Sequence, residues 1–227
     1  LTDVTGVQTF LLPIVDTLEL LCTYKKNGCV EGVAIDANGT VFVADFLRGL
    51  QALVFNGSEF TRIGQVNDDM SYSHGVAVHP DGAVFLTNVW HGMRAYRFRD
   101  GEFALVAHLQ DGGNPQDLVV IDDSTVILAN GYEGLRAYLV DDDTLVSIAH
   151  IDDGGLARTV VVTNEEKLIL ASSFAGIRVY TYSEPVFHCT AYHPDEGISS
   201  VCVGPGKVIF AAGTNGLQAF RDSGGSL

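Results

Sequence analysis

Gly49-Leu50-Gln51-Ala52-Leu53, Gly92-Met93-Arg94-Ala95-Tyr96, Gly134-Leu135-Arg136-Ala137-Tyr138, Gly176-Ile177-Arg178-Val179-Tyr180 and Gly216-Leu217-Gln218-Ala219-Phe220 are five versions of one phrase, with glycines 43, 42, 42 and 40 residues apart. Upstream of each lies an apolar run ending in small or polar residues: Val41 to Asp45, Val84 to Asn88, Val126 to Asn130, Leu168 to Ser172 and Val208 to Ala212. A further short run precedes each of these, at Val33-Ala34-Ile35, Val76-Ala77-Val78, Leu118-Val119-Val120, Val160-Val161-Val162 and Val201-Cys202-Val203. Turn-forming residues such as Asn38-Gly39, Asp81-Gly82 and Pro205-Gly206 separate the two runs, and Asn56-Gly57 or Asp100-Gly101 follow the glycine phrase. Another alternating run then closes the unit. Each repeat thus predicts four short antiparallel strands.

A period near 42 with four strands per unit and no helical periodicity predicts an all-β fold, a five-bladed β-propeller of four-stranded antiparallel blades. An elongated stack is the competing arrangement, and the closed ring is preferred because closure removes exposed sheet edges. Gly6-Val7-Gln8-Thr9-Phe10 is a sixth copy of the phrase, and Leu18 to Tyr24 takes the place of a fourth strand, while the C-terminus stops just after a third strand. The ring is therefore expected to be closed by an N-terminal strand, as one domain over 1–227 with repeats near 29–73, 74–115, 116–157, 158–198, and 199–227 completed by 1–28. One third strand, 6–10 or 216–220, is in surplus and must be displaced.

The 227 residues, 47% hydrophobic and 18% charged, suffice for a sizeable core and exclude a disordered or collagen-like chain. Thirteen Lys and Arg against 28 Asp and Glu give a net charge of −15, which repels phosphate backbones, so nucleic acid is not an expected partner. No apolar run is long enough to span a membrane. Cys22, Cys29, Cys189 and Cys202 show no metal-finger spacing. Three disulfide pairings are formally possible, but a chain of this length needs no staples and four buried reduced thiols are expected. The chain starts at Leu1 with no recognisable signal peptide, which suggests a processed or trimmed protein or a fragment. The sequons at Asn38 and Asn56 do not decide the compartment.

The phrases around Gly134 and Gly176, each following a paired strand, resemble LVIVD-type repeats and, more loosely, NHL and gluconolactonase-like propellers. The resemblance covers almost the whole chain. It implies the propeller fold and a secreted or surface-associated setting, and assigns no particular role. The Asp that commonly follows the second strand in that repeat is kept at Asp45, while Asn88, Asn130, Ser172 and Ala212 stand at the other four positions.

In a propeller the first strand of each blade lines the central channel, and loops build the face around its mouth. The residues entering those strands are Glu31, His74, Gln116, Arg158 and Ser199. Five different polar side chains at equivalent positions of otherwise similar repeats suggest a shaped ligand site, against the alternative of a merely wet channel mouth. Glu31-Gly32-Val33 resembles the opening of gluconolactonase-like propellers. That resemblance implies a divalent cation such as calcium, with Glu31, Asp45, Asn88 and Asn130 as oxygen ligands. Those relatives have six blades, however, and their Asn and Asp motifs are not recognisable here. With His74 and Arg158 at the same mouth the charge is nearly balanced, so no cofactor is required. Without a metal, Glu31 or His74 would act as acid or base and Arg158 as an anion clamp.

Leu47, Trp90, Tyr132 and Phe174 stand two residues before the repeated glycine, with Phe46 beside the first. They are either wedges between blades or an aromatic platform for sugar rings and apolar molecules. Gln51, Arg94, Arg136, Arg178 and Gln218 recur with the period and predict a common inter-strand hydrogen bond. Asp68-Asp69, Asp141-Asp142-Asp143 and Asp152-Asp153 read as solvated turns, and His79, His108, His150, His188 and His193 as locally satisfied side chains. No nucleophile-elbow, zinc-protease or phosphate-cradling motif is present.

These features favour a binding propeller that recognises a small organic molecule or a protein at its loop face. An enzyme of lactonase or isomerase type, using Glu31, His74 and Arg158, is the alternative, and a repeat fragment with a structural role only is a third. A monomer is expected, with strand exchange through the surplus segment as a route to oligomers.

Overall fold

The fold follows from where the repeated glycine has to sit. In a computed structural model, which describes residues 19–24, 28–67, 72–141 and 144–221, each of these glycines opens or immediately precedes the third strand of a blade. Gly134 has φ +69°, and a Cβ there would fall on the carbonyl oxygen of Ile151 in the adjacent outermost strand. Only glycine allows both the left-handed turn and the close approach.

Among the described residues, nineteen strands make five antiparallel sheets. The first four are β1 to β4 (Val30–Ile35, Thr40–Asp45, Gly49–Phe55, Phe60–Val66), β5 to β8 (Ser73–Val78, Ala83–Asn88, Gly92–Arg99, Glu102–Leu109), β9 to β12 (Asp117–Val120, Thr125–Ala129, Leu135–Asp141, Thr144–Ile151) and β13 to β16 (Ala157–Val162, Lys167–Ser172, Gly176–Ser183, Val186–His193). The fifth is β17 to β19 (Ile198–Val203, Val208–Gly213, Gly216–Arg221), three strands among the described residues. The architecture is the five-bladed β-propeller that the period predicts. Apart from one short 3-10 turn at Pro205–Lys207, the described residues contain no helix, and hence none long and apolar enough to cross a membrane.

Side chains alternate across each strand, so the two faces of a blade present separate sets of residues for burial. Phe42, Ala44 and Leu50 of the first blade pack with Val76, Leu86 and Tyr96 of the second, and three further clusters fill the next three interfaces. Val41, Val43 and Leu53, on the other side of the first blade, are covered by Tyr24 and Phe60. That side is less complete: Val33 is 67% exposed, whereas its counterparts Val76, Leu118, Val160 and Val201 are at most 9% exposed.

The expected closing strand is not seen in its described part. Residues 19–24 form no strand. Tyr24 lies on the first blade, donating from its hydroxyl to Gln51 Oε1 (2.9 Å) and packing against Val41, Val43 and Leu53. Segment 216–220 stands in an ordinary third-strand position as β19, and segment 6–10 lies outside the described residues.

Three expectations need correction. Cys29, Cys189 and Cys202 are exposed and Cys22 is half-buried, all as free thiols. Apolar neighbours in sequence do not reveal which face of a strand a residue occupies, and these three face outward. The periodic Gln and Arg residues share no single inter-strand bond. Gln51 does bond across strands to Asp45 (3.1 Å), but Arg178 donates to the Asp153 (2.6 Å) and Gly154 (3.4 Å) carbonyls, and Gln218 to the Asp195 carboxylate. Finally, Asp153 is more than a solvated turn residue: with Asp111 it accepts hydroxyl hydrogen bonds from Tyr180 (2.8 Å) and Tyr138 (2.9 Å). Burial, followed by these carboxylate partners, raises both tyrosine pKa values. Each bond ties the loop entering a blade to the third strand of that blade.

Candidate functional site

The innermost strands β1, β5, β9, β13 and β17 surround one cavity of about 350 Å3, and Glu31, His74, Gln116, Arg158 and Ser199 all line it. Four of these strands reach it through an irregularity. The pairing of β1 with β2 skips a residue at Glu31, β5 with β6 skips His74 and Gly75, β13 with β14 skips Arg158, and β17 with β18 skips Ser199. Bulges of this kind re-aim a side chain out of the regular alternation. Here they release the ring residues from the sheet and direct them to the channel. Gln116 enters just before β9, its N–H bonded to the Ala129 carbonyl (2.9 Å) and its amide Nε2 donating to the Asn114 carbonyl (2.9 Å).

Among the described residues Arg158 makes no ion pair. Burial lowers the pKa of His74, Glu31 opposes the shift and Arg158 adds to it, which leaves a neutral imidazole at neutral pH. Glu31 accepts a hydrogen bond from the Cys29 thiol (3.1 Å), which raises the thiol pKa and makes that cysteine a poor nucleophile.

Leu47 and the aromatic series stand at the same end of the blades as the ring residues, because the start of each first strand pairs with the end of the second. Leu47, Trp90, Tyr132 and Phe174 are 57–64% exposed, at the tips of the turns between second and third strands. The turns of Leu47, Trp90 and Tyr132 are pinned from the outermost strands: Gln65 donates to the Arg48 carbonyl (3.0 Å), and the His108 and His150 rings bond the His91 (2.6 Å) and Glu133 (2.7 Å) carbonyls. Phe46 does not stand at a tip. It packs edge-on against Tyr72 (4.6 Å between centroids) and His74 (5.6 Å), and Tyr72 in turn meets Trp90 (5.9 Å). A continuous aromatic wall therefore runs from the exposed Trp90 to the channel residue His74. Tyr72, which sequence reading missed, has φ +78°, a strained backbone for a non-glycine residue.

Asp45, Asn88 and Asn130 do not join Glu31 at the cavity. All three are buried, Asp45 and Asn88 bonded within their own second-to-third strand turns and Asn130 bonded to the loop that enters its blade. Asp45 accepts from Leu47 N (3.2 Å), Asn88 accepts from Trp90 N (3.2 Å) and His91 N (3.2 Å), and Asn130 donates to the Gly112 carbonyl (3.1 Å). Among the described residues no three His, Cys, Asp or Glu side chains converge as a metal site.

Sequence reading also missed Asp117, the residue after Gln116, which lines the same cavity. Its carboxylate Oδ2 accepts the Val160 N–H (3.1 Å) from the neighbouring blade. Nothing in the local sequence distinguishes this aspartate from a strand-initiating residue.

No protein-family model and no curated protein matches the chain. Among solved structures, a gluconolactonase from Xanthomonas campestris shares 18% identity with a TM-score of 0.60, over 84% of this chain and 71% of that one. A structure described as the extracellular domain of a hybrid two component system from B. thetaiotaomicron shares 14% identity with a TM-score of 0.64, over 86% of this chain and 27% of that one. At these identities the similarity establishes the propeller fold.

Proposed function

We propose that the protein is a binding propeller that takes a small organic ligand at its channel mouth. The observation that carries this reading is the convergence of five different polar side chains on one cavity, four of them re-aimed by bulges, beside a rim of exposed aromatic residues. Pinned turns keep the rim preorganised, so binding would lose little conformational entropy. The test is a thermal-shift and Trp90-fluorescence screen of saccharides and small carboxylates. A ligand found this way is expected to lose about 10- to 100-fold in affinity on Arg158→Ala if it is an anion, the range of a charge-assisted hydrogen bond. Trp90→Ala should weaken any ligand that reaches the rim. Ligands insensitive to both substitutions would place binding elsewhere and overturn the reading.

The enzyme alternative has one specific support: a neutral, half-buried His74 beside Glu31 and Arg158, which suits proton transfer. The likeness to a gluconolactonase makes lactones the first substrates to test, with and without added calcium. Hydrolysis abolished by His74→Gln would support this reading, and the absence of turnover in both conditions would remove it.

A further inference from the structure

One step along the chain from each member of the channel ring stand Gly32, Gly75, Asp117, Thr159 and Ser200, which form the next tier of the same cavity. Four blades fill this tier with uncharged residues and one supplies a carboxyl. Thr159 of the same tier also bonds to the following blade, donating to the Ser199 carbonyl (3.0 Å), but only at Asp117 is the bonding group ionisable.

The surroundings of Asp117 are defined on both sides. From the following blade, Val160 donates its N–H to Oδ2, and the Leu118 N–H also reaches the carboxyl. Val160 lies two residues beyond Arg158 on β13. On the side of the preceding blade, β5 comes so close that a Cβ on Gly75 would stand 3.0 Å from Asp117 Cα, and His74 is the residue before Gly75. The titratable and charged groups facing this part of the cavity are therefore His74 from β5, Arg158 from β13 and Glu31 from β1. The lining residues of β17, Ser199 and Ser200, add no charge, nor does Ala129 opposite Asp117 within its own blade.

We infer that Asp117 is the acid–base residue of the channel, and that the site takes a small carboxylate lodged between Arg158 and Asp117, one proton passing from solvent to Asp117 as the ligand binds. This rests on the ligand-binding reading above and adds the chemical class. The reason is electrostatic. An ionised Asp117 would repel an incoming carboxylate, whereas a protonated one donates a hydrogen bond to it and the two oxygens share the proton. Arg158, which has no ion-pair partner among the described residues, supplies the opposite charge. Asp117 is poised for this exchange, since burial pushes its pKa up to about 6 in spite of the two N–H donors.

Benzoate, which offers a carboxylate to the channel and a ring to the rim, is the probe. Calorimetry near neutral pH in two buffers of different ionisation enthalpy should show uptake approaching one proton per benzoate bound. Affinity should fall about tenfold per pH unit above the Asp117 midpoint. Asp117→Asn should abolish the uptake, while the His74 ring, followed by NMR in the same titration, should keep its protonation state on binding, separating the two titratable neighbours. Carboxyl carbon NMR of the unsubstituted, ligand-free chain should place the Asp117 midpoint near 6, which keeps the test independent of how the variants fold. Benzoate binding without proton uptake, or an Asp117 midpoint in the ordinary aspartate range, overturns the role of Asp117 and leaves the binding reading standing. If a neutral saccharide binds and benzoate does not, the carboxylate class is wrong. If nothing in the screen binds at the channel, both readings fall.

Discussion

Replacing Gly134 with alanine is expected to destabilise the protein by about 3–5 kcal/mol, among the largest effects of any single methyl addition to this fold. Two costs combine. The residue has φ +69°, where a side chain costs about 1–2 kcal/mol, and its new Cβ would overlap the Ile151 carbonyl oxygen and stand 2.9 Å from Asp152 Cα. Neither obstacle is a flexible side chain, so relief requires separating β11 from β12. Gly82→Ala is the matched comparison. That glycine also has a left-handed backbone, φ +89°, but nothing lies within 4 Å of its would-be Cβ, so only the conformational part, about 1–2 kcal/mol, should appear. Urea denaturation of both variants separates the terms. Equal losses at the two sites would show that strand crowding contributes nothing at Gly134.

The second large effect depends on pH. Asp117 has a folded-state pKa of about 6 against an ordinary value of 3.8, so the fold favours its protonated form. Below the ordinary value both states bind the proton and the group has no effect. As pH rises toward 6 the unfolded chain ionises first, and stability is lost. Above 6 the full penalty is present, about 1–3 kcal/mol after allowing for the part of the carboxyl that faces the cavity. Asp117→Asn keeps an acceptor for the Val160 N–H and removes the charge. It should therefore stabilise the protein at about pH 8 by that amount and be close to neutral at about pH 4. Unfolding free energies at both pH values test this, and a loss of equal size at both would mean that the residue is only a structural brace.

The blades were legible in the sequence because the same physical demand recurs five times. Only glycine fits where Gly134 sits, so the phrase stands out from a background free to vary. The channel ring was legible for the opposite reason: Glu31, His74, Gln116, Arg158 and Ser199 differ at a position where the repeats otherwise agree. The bulges that aim four of them were not legible, because a skipped pairing leaves no mark on the alternation of so short a strand. Asp111, Asp153 and Asp195 recur at 42-residue intervals, as do Tyr96, Tyr138 and Tyr180, and a search for paired periodic residues would have found two of the ties. Read singly, the aspartates looked like turns. Asp117 had no such period to betray it, and its character comes from burial between blades that no local window contains.

The uneven flanks of the ring bear on how it comes apart. Val33 and Ile35 are 67% and 65% exposed on the first blade, and Leu217 is 75% exposed on the fifth, while the three middle blades are packed on both sides. In an array held together by nearest-neighbour interfaces, the units with one good neighbour open most often. Amide exchange should therefore be fastest in β1 and β17 to β19 and slowest in the inner strands of the third blade. Such a gradient would place Asp117 in the last unit to open and Glu31 in one of the first, so the two carboxyl groups of one cavity would report on fluctuations of very different depth.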